Sequence, residues 1–411
     1  MHGRYSVTPI EIVSLRLQPE HTLLLSLFGS SGYRDFTAVL DRHDVDWERL
    51  IVLALEHGVA ERLCEAVVSV GEGCISGDIV AAAHVFLDDR RTVNRRLVEA
   101  FQGIFTSLEG HGISTIAFKG PALASSAYGD PLARHFRDLD FLVKREDFSR
   151  CLAVLEELGY ADDAMLSPRQ YREFCDYNGE VLLFGPAGAI EPHWAFAPRT
   201  LAIEFDYNDL WPRSRMIDIL GCQIRVLCPE DELLAICIHG CKERWIKLKW
   251  IADVSAFLAR HDSLDWDEML KRSARMGVAR VLRIGLVLAE QLTRARCALP
   301  EHVRCWLERD LVARKLALEA MGGLFVQHPP ASVFDLNGYH WRMRERVRDR
   351  VYYAWRTITQ PQSRHFQAMD IPDVLFPLYI PLKVVHDYLA LPAWLMLKRL
   401  RRGGGRFHES R

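Results

Sequence analysis

The chain has 411 residues, of which 49% are apolar and 26% charged, with a formal net charge of −2. That length allows two or three domains with a sizeable core. The near-neutral balance excludes a general pull toward nucleic acid or membranes and leaves only local patches to provide one. Ten cysteines occur without a C-x-x-C pair, which argues against a disulfide framework or zinc ribbon and for reduced thiols. The first residues, MHGRYSVTPIEIVSLRLQPEHTLLLSLFG, lack a basic stretch followed by a continuous apolar run, so the expected location is cytoplasmic.

In chain order, residues 1–112 read as an N-terminal helical segment. DWERLIVLALEHGVAERLCEAV carries Asp46 or its neighbour as a cap and apolar residues at three- and four-residue spacing, and Gly110 and Gly112 are stop signals. Residues 113–228 change character. ISTIAFKG predicts a strand ending at Gly120, followed by a helix with Pro121 at its first position. LDFLV is a strand, REDFSRCLAVLEELGY a helix, EVLLFGPAGAIEPHWAF a hairpin turning through Gly185, Pro186 and Gly188, and CQIRVLCP a further strand. Crossover helices together with a hairpin predict an α+β fold with a mixed sheet.

Residues 229–325 read as a helical domain. Its first helix, PEDELLAICIHGCKERW, opens on a proline and three acids that suit the helix dipole. Cys237-x-His239-x-Cys241 offers zinc ligand types, but the one-residue spacing suits a helix poorly, and buried small hydrophobes are the favoured reading. In HGCKERWIKLKWIADVSAFL, Trp245, Leu248 and Ile251 form a core stripe. Lys242, Lys247 and Lys249 then fall on solvated faces, with Asp253 pairing structurally to Lys249 one turn back. Residues 326–411 form a C-terminal helical extension with a basic tail. That tail is a candidate for weak contact with a membrane surface, but packing of its apolar part on the bundle is favoured. Lys383, His386, Asp387 and three prolines argue against a span.

Asp138 and Asp140 carry the chemistry. Residues i and i+2 of a strand face the same way, and two neighbouring carboxylates repel unless a cation neutralises them. A hard divalent ion such as magnesium takes oxygen ligands, and Glu191 in AIEPHW supplies a third acid. The alternative is that Asp138 caps a turn or pairs with Arg137 while Asp140 is solvated at a strand end. Lys119 and Gly120, at a strand end before a helix, offer an ammonium and free backbone N–H groups to a phosphate, and Arg134 adds a forked donor.

FKGPALASSAYGDPLARHFRDLDFLV, IEPHW and HGCKERWIKLKWIADVSAFL together resemble the uncharacterised nucleotidyltransferase family of the DNA polymerase β superfamily, over about residues 100–290. The resemblance implies a nucleotidyltransferase-type sheet in which Asp138 and Asp140 hold catalytic magnesium and Glu191 is the third acid that activates the acceptor hydroxyl. Family histidines correspond to His193 and His239, candidates for orienting groups, and a family lysine to Lys242. Lys119 and Gly120 stand where the superfamily more usually has a Gly-Ser turn, and Glu243 where the family often has a second histidine.

The expected activity is transfer of a nucleoside monophosphate from a nucleoside triphosphate, with ATP the favoured donor, by two magnesium ions. Lys119, Gly120, Arg134 and Lys242 are the candidate nucleotide contacts. The resemblance implies a hydroxyl of a small molecule or peptide as acceptor, and the near-neutral charge disfavours a large nucleic-acid partner. The alternatives are a catalytically silent nucleotide-binding scaffold and a toxin-like transferase acting on tRNA.

Overall fold

The computed structural model describes residues 17–28, 33–162, 166–293, 299–326, 333–369 and 371–390. The fold is α+β, as the sequence predicts, built on six strands: β1 Thr115–Ala117, β2 Asp138–Val143, β3 Leu183–Gly185, β4 Gly188–His193, β5 Arg215–Ile219 and β6 Cys222–Val226. Their spatial order is β3-β4-β2-β1-β6-β5. β1 runs antiparallel to β2 and parallel to β6, β2 runs parallel to β4, and the pairs β3/β4 and β5/β6 are antiparallel hairpins.

Strand alternation gives the sheet two different faces. On one, Ala117, Leu139, Phe141, Val143 and Ile190 share an apolar cluster with Phe101, Phe105 and Leu155. These last come from the helices Gly77–Gly110 and Phe148–Glu157. On the other, Ile116, Phe118 and Leu142 join the larger core, which includes the helices Pro229–Lys242 and Leu248–Arg260. The apolar residues on either side of the two aspartates therefore cover one face, while Asp138 and Asp140 lie on the face that packs toward the helices Pro229–Lys242 and Leu248–Arg260.

Local signals set many boundaries. Asp46 accepts a hydrogen bond from the Arg49 N–H and opens its helix. The long helix stops at Gly110, and Gly112 takes a φ of +70° that suits a residue without Cβ. Pro121 lies in the first turn of Gly120–Leu123, which continues into a π turn over Ala124–Tyr128. Among the elements that lie beyond the sequence reading, two are instructive. The helix Pro168–Tyr177 carries a complete capping box between Ser167 and Gln170, so its start was legible. β5 joins β6 through Leu220 and Gly221, both at positive φ, as a two-residue hairpin requires. Leu220 supplies no turn signature, which hid it.

Cys237 and Cys241 are buried on the helix Pro229–Lys242, and Trp245 Nε1 lies 3.3 Å from Cys241 Sγ. Trp245 itself lies on Gly240, where an added Cβ would meet the indole at 2.4 Å. Among the described residues no helix is long and apolar enough to cross a membrane. The basic tail, residues 391–411, lies outside the described residues.

Candidate active site

The parallel pairing of β2 with β4 sets Asp140 directly opposite Glu191 and Asp138 opposite Ala189. His193 follows two residues after Glu191, on the same face. Asp140 is 2% exposed. One of its oxygens, Oδ1, lies 2.5 Å from Lys119 Nζ and 3.0 Å from His193 Nε2. Glu191 Oε2 lies 3.5 Å from the same ring nitrogen. Asp140, Glu191 and His193 thus offer ligand atoms all within 4.8 Å of one another, an arrangement able to hold a metal ion. Asp138 is half-buried and stands outside that trio, although on the same strand face.

Local backbone places the flanking cations. Lys119 is extended, and Gly120 turns at φ +52° with its Cα side against the Asp138 carbonyl. The loop leading into β2 is pinned by Asn94, whose Nδ2 donates to the carbonyls of Leu132 at 2.9 Å and Arg134 at 3.1 Å. Arg134 makes a bidentate pair with Asp253, Nε to Oδ1 at 2.9 Å and Nη2 to Oδ2 at 2.8 Å. The Tyr128 hydroxyl donates to the same carboxylate at 2.9 Å. The partner expected for Asp253, Lys249, differs from the one found, because the guanidinium matches a carboxylate in two bonds at once and burial favours that satisfaction.

Lys249 lies half-buried rather than on a solvated face. Its stem runs over Gly58, where an added Cβ would meet Cδ at 2.6 Å. Lys249 acts electrostatically on Asp138, alongside Lys119 and Arg134. Lys242 Nζ is taken by Glu180 Oε1 at 2.8 Å. His239 sits edge-on to Trp250, with ring centres 5.3 Å apart.

Glu180, like Lys249, is a residue beside the acids that sequence reasoning missed. Its Oε2 lies 3.1 Å from His193 Nδ1, so it links His193 to Lys242. The signal was present. Counting the antiparallel register back from Gly185 opposite Gly188 sets Glu180 opposite His193, where a bridge forms.

These contacts produce divergent proton affinities. Burial works against ionised Asp140, but Lys119 and His193 hold its carboxyl well below the usual range. Burial would neutralise His193, yet Glu180 and Asp140 outweigh it and push the imidazole up to about 10. Burial raises Glu191, and the Asp140 charge adds to this. Burial and Asp140 likewise raise Asp138. Burial, with Arg134 nearby, lowers Lys249 to about 8, and burial with Lys119 and Lys242 keeps His239 neutral. Two acids with raised proton affinity beside one fully ionised acid is an arrangement typical of functional sites.

No curated protein matches the chain. Among solved structures it is similar to the antibiotic-resistance factor ANT(2'')-Ia, at 11% identity and a TM-score of 0.29 over 46% of this chain and 91% of that chain. A likeness that distant carries no weight here. The sequence profile described as "Uncharacterised nucleotidyltransferase" matches residues 43–294. That span is more than half of the chain and holds every site residue described above, and the protein belongs to this uncharacterised nucleotidyltransferase family.

Proposed function

We propose that the protein is a magnesium-dependent enzyme that transfers a nucleoside monophosphate from a nucleoside triphosphate, with ATP the favoured donor, to a hydroxyl of a small-molecule or peptide acceptor. The observation that carries this reading is the register of β2 against β4, which opposes Asp140 and Glu191 and leaves Asp138 on the same face.

Three carboxylates are a donor set that fits a hard cation. Asp138, Asp140 and Glu191 would hold magnesium, as two ions if the superfamily pattern applies. When bound, magnesium neutralises triphosphate charge and acidifies the acceptor hydroxyl. His193 is engaged by Glu180 on its far nitrogen and orients Asp140 and Glu191 from the other. Glu191, with its raised proton affinity, is suited to accept the acceptor's proton. The acceptor oxygen bonds to the α-phosphorus, the bond to the bridging oxygen breaks, and pyrophosphate leaves.

The Gly120 amide and Lys249 are the favoured triphosphate contacts, while Lys119 is engaged by Asp140 and reaches a phosphate only if a bound cation takes over that carboxylate. Arg134 and Lys242 are engaged by Asp253 and Glu180, which supports positioning roles for both. His239, neutral and packed on Trp250, fits a supporting role.

The test is a labelled-triphosphate assay with magnesium and candidate acceptors, run beside Asp138→Asn and Asp140→Asn. Label transfer with pyrophosphate release should fall to background in both variants. Triphosphate binding that persists without turnover, unchanged by either substitution, would overturn the transfer reading.

A further inference from the structure

Within the C-terminal extension, residues 346–411 carry twelve Lys and Arg against five Asp and Glu in a chain whose total charge is −2. The extension lies beyond residues 43–294, the span of the family match. Its helix Val347–Thr359 packs inward through Asp349 and Tyr353, both buried. Outward it presents Val347, Val351, Trp355 and Ile358, a row at helical spacing, with Val347 72% and Trp355 64% exposed.

A second apolar row lies alongside. Val374, Leu375, Leu378, Leu382, Val385 and Leu389 are all exposed, Val374 at 86%. The two segments are tied by Lys383 Nζ, which donates to the Thr357 carbonyl at 2.8 Å. Asp387 faces inward, where Lys383 lies at 2.9 Å and Arg364 at 3.0 Å. This acid therefore contributes little outward negative charge. Beyond Ala390 the sequence reads LPAWLMLKRLRRGGGRFHESR, an apolar stretch with a tryptophan followed by six cations and one acid.

Exposed apolar residues gathered in adjoining rows mark an interaction surface. Apolar rows joined to clustered Lys and Arg match the two forces that hold a protein in the boundary of an anionic bilayer. A protein partner would be indifferent to this excess of positive charge unless it were acidic, and nucleic acid would leave the valine and leucine rows wet. We infer that this C-terminal face docks on an anionic membrane surface, with both apolar rows entering the headgroup boundary and the net positive charge of the segment supplying the attraction to lipid phosphates.

The full-length protein is floated with vesicles of phosphatidylcholine alone and with vesicles containing one quarter phosphatidylglycerol. It should float with the second and not the first, and high salt should reduce the floated fraction. A Val351→Glu, Trp355→Glu double variant should lower that fraction on the order of tenfold, with thermal stability and triphosphate binding unchanged. The proposal is overturned if the wild-type chain does not float, if it floats equally on both vesicles, or if the double variant floats as well as wild type. It is also overturned if sedimentation shows instead that the face pairs two copies, as a dimer dissolved by the variant in the absence of flotation. Because triphosphate binding is read on the same samples, failure here leaves the transferase reading standing.

Discussion

Lys119 Nζ and Asp140 Oδ1 lie 2.5 Å apart, and His193 approaches the same oxygen from the other side. Asp140 is thus the buried anion between two cations, while Asp138 on the same face is an acid whose ionised form the fold disfavours. Equal catalytic loss should therefore accompany unequal stability. Asp140→Asn leaves the buried Lys119 without its ion-pair partner, while His193 keeps Glu180, and should cost about 3 to 5 kcal/mol. Asp138→Asn should melt no lower than wild type. Parallel thermal melts check this, and equal destabilisation by both would refute it.

The pH dependence of stability follows from His193. Its proton affinity is higher in the folded state than the ordinary value of about 6.5. Its contribution is therefore fully present below that pH and lost as pH rises through about 10. The whole effect is on the order of a few kcal/mol, at roughly 1.4 kcal/mol per pH unit. Urea denaturation of the metal-free protein at pH 6, 8 and 10 should show the decline, and His193→Gln should flatten it. A variant as steep as wild type would remove His193 as the cause.

The Arg134–Asp253 pair ties the loop before β2 to the helix Leu248–Arg260. Asp253→Asn removes one partner of a buried pair and should cost about 3 to 5 kcal/mol. Arg134→Lys should restore little, because a lysine cannot make both bonds. Chemical denaturation of the two variants measures this. A lysine variant as stable as wild type would show that charge alone suffices.

Lys249 has no ion pair within 4.0 Å among the described residues, yet its charge and that of Asp138 act on each other and burial holds its proton affinity down. Lys249→Met should weaken binding of magnesium triphosphate about tenfold or more, the cost of one charged hydrogen bond, and should not lower the melting temperature. Titration calorimetry reads the affinity. Unchanged affinity would return Lys249 to a structural role.

Much of the site was legible before any coordinates. Strand period alone set Asp138 and Asp140 on one side. The glycines at 185 and 188 defined the hairpin, and its register already contained Glu180 opposite His193 for a reader who counted it out. The helix starts at Asp46 and Pro121 followed from caps and proline, whose effects act within a turn or two. The turn at Leu220 was illegible because its positive φ opposes the residue's own preference and is imposed by the hairpin.

What the amino-acid order determined by itself was therefore local: which residues share a face, where elements begin, and which side chains carry charge. Tertiary structure alone decided partnership. Asp140 meets His193 across 53 residues and Arg134 meets Asp253 across 119, and Lys249 is half-buried over Gly58 rather than solvated. Backbone preferences reach only a few residues along the chain, whereas the choice among several cations for one buried carboxylate depends on which faces apolar burial brings together and which geometry then satisfies the most hydrogen bonds.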